Sequence, residues 1–333
     1  MEKGENIVSI ALAALVLLAV VGVHRRWNPA SLAADVATSA EDFILSSAGI
    51  RGEVPEIAGY ERLQTFFLGN YRAALYRATP APLVFAPGRL VVYNRTDQPV
   101  FRLDTLEGSK DSWSALYDFT GRHGLPVPGA RARPSYARDL SGDGDPVVVF
   151  GQYSGGEHCC TVVTVLELGK DGVTTIGRID GIGGLPFEGL EIRKLGKEPA
   201  WQCIVRHPTV TACGDNFDAP DVPAIYSFAG GRLVDETANF GDYLQSTLRQ
   251  NLAKWRLERV HTLSLLQTLA VDDAMVGLKD EAKRFFALNL SQFMPTLEGR
   301  HVDPNTCIDS LESLVDRLPV AELKAEPPEG SKQ

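Results

Sequence analysis

The sequence predicts an α+β protein in three parts: an N-terminal transmembrane helix, an antiparallel β-rich module built like propeller blades, and a C-terminal α-helical module. Three observations predict it. Residues 7–23 are an unbroken apolar run, residues from about 90 to 236 read as short strands joined by tight turns, and beyond Phe240 leucines recur at helical spacing. The expected boundaries are an anchor at 1–28, a helical spacer at 29–84, a β-domain at 85–238, a helical module at 239–320 and a disordered tail at 321–333.

The first element is IVSIALAALVLLAVVGV, Ile7 to Val23, uncharged and polar only at Ser9. At 1.5 Å per residue it spans roughly 25 Å, the lower limit for a bilayer core of about 30 Å. A cleaved signal peptide is the rival, but it wants a basic n-region and small residues just beyond the apolar core. Here Glu2, Lys3 and Glu5 nearly cancel, and the small-residue site Ser31-Leu32-Ala33 lies past Arg25 and Arg26. A buried core helix would show a polar face, which this run lacks. The expectation is an uncleaved single-pass anchor in the cell membrane. Arg25 and Arg26 draw their own side toward the cytoplasm, whereas the cysteines fit an oxidising compartment. The main domain is expected in the periplasm or extracellular space.

Next, Tyr60 to Tyr76 reads as a helix ended by Pro80-Ala81-Pro82. Strands begin with LVVYN at Leu90 and VFRLD at Val100, joined by Arg95-Thr96-Asp97-Gln98. VVVFGQY at Val147, CCTVVTVLEL at Cys159 and VTTIGRI at Val173 follow as a meander, and PAIYSF with RLVDE closes the β-region. One helical stripe runs through Leu244, Leu248, Leu252, Trp255, Val260, Leu263, Leu266 and Leu269. Asp272 or Asp273 is read as the cap of a second helix, and Asp303-Pro304 as the start of a third.

Five cysteines leave an odd one. Cys203 and Cys213 flank CIVRHPTVTAC and bridge if the two arms pair. Cys159 and Cys160, adjacent on a strand, point to opposite faces, so each pairs elsewhere or the two close a vicinal ring. Cys307 stands alone. The net charge of −9 argues against a nucleic-acid partner, which selects a basic face.

Chemistry concentrates in Asp139-Leu-Ser-Gly-Asp-Gly-Asp145. Oxygen side chains at Asp139, Ser141, Asp143 and Asp145 alternate around two glycines, the pattern a hard cation such as Ca²⁺ asks for. Phe150 stands where an EF-hand would carry its distal Glu, so an acidic β-turn without metal is the equal alternative. Glu157, His158, Cys159 and Cys160 carry zinc-type donors, but adjacent cysteines do not converge as spaced pairs do. No nucleophile elbow or C-x-x-C occurs. His207, His261 and His301 are isolated, and the glycines of 181–184 lack the Lys-Ser/Thr of a phosphate loop.

From Asp139 to Gly144 and from Ser154 to Cys160, the chain resembles a family of uncharacterised exported bacterial proteins with FG-GAP or VCBS-like β-repeats. Those carry a D-x-[SN]-G-D-G loop, an apolar strand and a motif close to S-G-G-A-H-C-C, with Glu157 here in place of the alanine. Asn216 to Phe228 and the C-terminal helices are similar too. The resemblance covers residues 90 to 320, most strongly 139–168, and implies export, a Ca²⁺-holding loop and no common enzymatic activity. The repeat's further acidic residue or Asn is missing beyond Pro146, where the apolar run from Val147 stands. The function expected is therefore a membrane-anchored binding or scaffolding protein with a protein or envelope-polymer partner. The rival is an envelope hydrolase whose metal sits on the Asp139–Asp145 loop with His158 as base or ligand.

Overall fold

The computed structural model describes residues 54–68, 71–79, 88–104, 113–119, 130–131, 136–153, 161–183, 187–196, 200–214, 218–257 and 261–321. They belong to one compact unit, Val54–Gln333. The apolar run 7–23 and the tail beyond Ala321 lie outside them, and no described helix is long and apolar enough to cross a membrane.

The fold is α+β, with three sheets followed by helices. The first sheet has the order β4-β3-β2-β1-β6, from β1 (Tyr60–Leu68), β2 (Tyr71–Ala78), β3 (Gly88–Tyr93), β4 (Pro99–Asp104) and β6 (Ala130–Arg131). Its first four strands are an antiparallel meander, and β6 adds a two-residue parallel pairing to β1. The second sheet is antiparallel, β5-β7-β8-β9, from β5 (Trp113–Leu116), β7 (Val147–Tyr153), β8 (Thr161–Gly169) and β9 (Gly172–Ile182). The third, also antiparallel, is β10-β11-β12-β13, from β10 (Leu190–Arg193), β11 (Gln202–Pro208), β12 (Asp221–Ala229) and β13 (Arg232–Asp235).

The helix expected over Tyr60 to Tyr76, and with it a helical spacer reaching residue 84, is corrected to the β1–β2 hairpin. The reason lies in burial. Tyr71, Ala73 and Leu75 of β2 pack toward the second sheet, while Ala74 and Tyr76 on the opposite face join Val54, Val91 and Tyr93. A strand buried on both faces loses its polar alternation, so its apolar run imitates a helix segment. The Gly69-Asn70 pair between the strands is the hairpin signal.

The second sheet is the middle layer. Leu116, Val148, Phe150, Leu166 and Leu168 face the first sheet, and Ala115, Val147, Val149, Val163 and Val165 face the third. This explains the nearly continuous valine runs of β7 and β8. Gly177 of β9 marks a close approach: a Cβ there would lie 2.6 Å from Leu233 Cγ on β13.

The helices are α1 (Gly241–Leu257), α2 (Leu263–Met275), α3 (Lys279–Leu290), α4 (Met294–Gly299) and α5 (Pro304–Arg317). The single leucine stripe is thus two helices. Thr262 ends the continuity by accepting the Leu265 amide at its side chain (3.2 Å), an N-cap that starts α2 afresh. Asp272 and Asp273 cap nothing, since both lie within α2. Asp303 does cap α5, accepting from Thr306 N at 2.9 Å. Ala321, expected in the tail, is buried and donates its amide to Met275 O (2.8 Å). The outer face of the third sheet, Ile204 and Ile225, is covered by Phe240 and by Tyr243 of α1.

The segment between β11 and β12 fastens sheet to helices. Thr211 Oγ1 donates to Gln267 Oε1 and Gln267 Nε2 donates to Asp218 O, all buried; Ala212 N donates to Ser310 Oγ, and Arg300 pairs with Asp218. A disulfide joins Cys213 to Cys307, with Cα atoms 4.2 Å apart. The expected Cys203–Cys213 bridge is therefore corrected. Cys203 sits on β11 opposite Tyr226, facing the middle layer, whereas Cys213 lies past the strand's end among the helices. Cys203 stays a free thiol, pushed up to about 12 by burial. Cys159 and Cys160 lie outside the described residues.

Candidate functional site: an acidic corner of the middle sheet

The Asp139 loop is closed at its stem by a reciprocal pair of backbone hydrogen bonds between Arg138 and Val147 (2.8 and 3.1 Å). Leu140 anchors it from within, fully buried, its carbonyl accepting the Trp201 amide. The Arg138 guanidinium lies 4.5 Å over the Trp201 ring. Gly142 and Gly144 take φ of +86° and +95°, which side chains resist, so both glycines are required by the turn.

Asp139 is the loop's own organiser. Its Oδ1 accepts Gly142 N at 2.6 Å and its Oδ2 accepts Gly144 N at 3.1 Å, with Ser141 Oγ 3.5 Å from Oδ1. Asp143 Oδ1 accepts Asp145 N at 3.0 Å. The four candidate ligands thus divide: Asp139 and Ser141 build the loop from inside, while Asp143 and Asp145 line a hollow beside it.

That hollow, about 600 Å³, is completed by the β8–β9 hairpin, with Glu167, Lys170, Asp171 and Thr174 in its wall. The register explains the meeting. Val147 pairs with Glu167, and Leu168 N donates to Pro146 O, which sets Asp145 against Gly169. From the first sheet, Tyr71 Oη donates to Gly169 O at 2.7 Å and buttresses the hairpin tip.

Glu167 was not apparent as a site residue from sequence; its only signal is a charge inside the apolar run TVVTVLELG. Its Oε2 is shut off from solvent and finds no hydrogen-bond donor among the described residues. Burial, then the charges of Asp143 and Asp145, raise its pKa above the ordinary carboxylate value. Burial, Asp171 and Asp145 raise Tyr71 likewise. The corner therefore gathers negative charge around one orphaned carboxylate oxygen. Among the described residues no three His, Cys, Asp or Glu side chains converge closely enough to form a ready-made metal cage.

Glu157 and His158 lie outside the described residues. Of the described histidines, His207 Nδ1 lies 3.2 Å from Gly181 O, the His261 ring stacks on Trp255, and the backbone amide of His301 donates to Glu298 O. Asp218 pairs with Arg300, and Asp221 opens β12.

No protein-family model matches the chain, and no curated protein is significantly similar to it.

Proposed function

We propose that this chain is a non-catalytic binding or scaffolding protein of the cell envelope, anchored through residues 7–23, whose β-domain is stiffened by Ca²⁺ at the acidic corner. The observation that carries the cation reading is the buried, undonated Glu167 Oε2 beside Asp143 and Asp145. A buried carboxylate oxygen without a partner costs free energy that a hard cation offsets. Asp143, Asp145 and Glu167 face the cation, and Asp139 presents the first two by holding the loop amides. The carboxylates stand apart, so water completes the shell and the affinity is that of an extracellular module, about 10⁻⁴–10⁻³ M. The resemblance to exported FG-GAP or VCBS-like proteins supports the same reading. Three stacked sheets tied to a helical module give a rigid body for contact with a protein or envelope polymer, an argument from fold analogy.

Calorimetric titration of the full chain with CaCl₂ tests the site. Saturable binding that is lost in Glu167→Gln and Asp143→Asn supports the proposal. Absence of binding up to about 10 mM, well above that range, overturns it. Carbonate extraction of membranes tests the anchor: a chain released into the soluble fraction is not anchored.

A further inference from the structure

The two halves of α1 are held differently. Gly241, Leu244, Thr247 and Leu248 are its buried residues, and all precede Arg249; Leu257 at its end is 82% exposed. Several contacts retain residues 249–257, one of them between His261 Nε2 and Trp255 O, 2.7 Å apart. Leu252 and Trp255 pack partly against the helical core. The Trp255 ring stacks on His261 at 3.8 Å and meets Phe285 edge-on at 6.0 Å. Asn251 Nδ2 donates to Asp272 Oδ2 at 2.7 Å.

Asp272 is a carboxyl in the seam between α1, α2 and the third sheet, only 4% exposed. The groups facing it are Asn251 from α1, Arg206 from β11, Asp221 from β12 and Asp273 from α2 itself; Asp273 in turn faces Glu281 of α3. α5 contributes Leu311, Leu314 and Val315 to the same apolar cluster. One guanidinium thus stands against two other carboxylates; the Asn251 amide and Arg206 favour the ionised form, but together they offset only part of the burial cost. Burial dominates and pushes Asp272 up to about 7.

We infer that residues 249–257 of α1 are a proton-controlled flap over Asp272, seated while that carboxyl is protonated and lifted to admit water when it ionises. The sign follows from linkage. A carboxyl whose pKa is higher in the closed form favours closure at low pH, and the preference decays as pH rises through the closed-form value. Lifting uncovers the Leu252 and Trp255 side of α1 and the surface of α2 beneath, so ionisation also exposes an apolar face.

Hydrogen–deuterium exchange on the full chain at pH 6 and pH 8, with each amide scaled for its intrinsic rate, tests the flap. With a solvated value near 3.9 and a closed value of about 7, the opening constant for residues 249–257 rises about tenfold between those pH values. In Asp272→Asn the rise falls below about twofold. A flat wild-type profile overturns the inference without recourse to any variant. A rise that persists in Asp272→Asn belongs to another group and overturns it as well.

Discussion

Replacing both Cys213 and Cys307 by alanine removes the disulfide that clamps the β11–β12 connection to α5. The two cysteines are 94 residues apart, and the loop they close contains α1 to α4. In the chain-entropy view, cross-linking such a loop raises the free energy of the unfolded ensemble by about 4.7 kcal/mol. That is a large part of the roughly 5–15 kcal/mol that holds a typical domain. Both side chains are fully buried, so the small voids left by the sulfurs add to the loss. The non-covalent ties remain: Thr211 to Gln267, Ala212 to Ser310 and Arg300 to Asp218. The variant therefore folds, with a lower midpoint. With a urea dependence of about 3 kcal/mol per M, the midpoint falls by about 1.5 M. The assay is a urea melt followed by far-UV dichroism, alongside peptide mapping of the unreduced wild type. A midpoint change under about 0.3 M, or mapping that links Cys213 to Cys203, refutes the reasoning.

Three further outcomes are expected. Leu140→Ala empties a fully buried site under the acidic loop, costing about 3 kcal/mol by denaturation and loosening the Asp139 turn, so that calcium response weakens with it. Gly177→Ala drives a methyl into Leu233 and destabilises by about 1–3 kcal/mol; the added Leu233→Ala recovers part of this, and a double-mutant cycle without coupling refutes the contact. Glu167→Gln removes a carboxyl whose pKa is raised, so wild-type stability without cation declines as pH climbs through that raised value and the variant does not follow. Thermal melts between pH 4 and pH 8, with and without CaCl₂, show this, and parallel curves for the two proteins would contradict it.

The alternating hairpins were legible because each strand announces itself locally: β3 and β4 around Asn94, whose Oδ1 gathers Thr96 N and Gln98 N, and β12 and β13 around two glycines. Asp303 was legible as a cap because capping is decided within four residues. β1 and β2 were not, because their burial on two faces is set by partners distant in sequence. The same holds for the disulfide: CIVRHPTVTAC suggests a local bridge, but the partner of Cys213 lies 94 residues on and is selected by helix docking. The acidic loop could be read from its oxygens and glycines. Glu167 could not, because its place beside Asp145 depends on the β7–β8 register.

The covering of the third sheet's outer face by Phe240 and α1 has a consequence for assembly. Stacked sheets are an open-ended series: each exposes a greasy face that a further sheet, or another molecule, would satisfy as well as the last. The helices act as a stopper at one end of that series. A chain shortened to end at Asp235 would present Ile204 and Ile225 to solvent, and its fate would be end-to-end association rather than a smaller monomer.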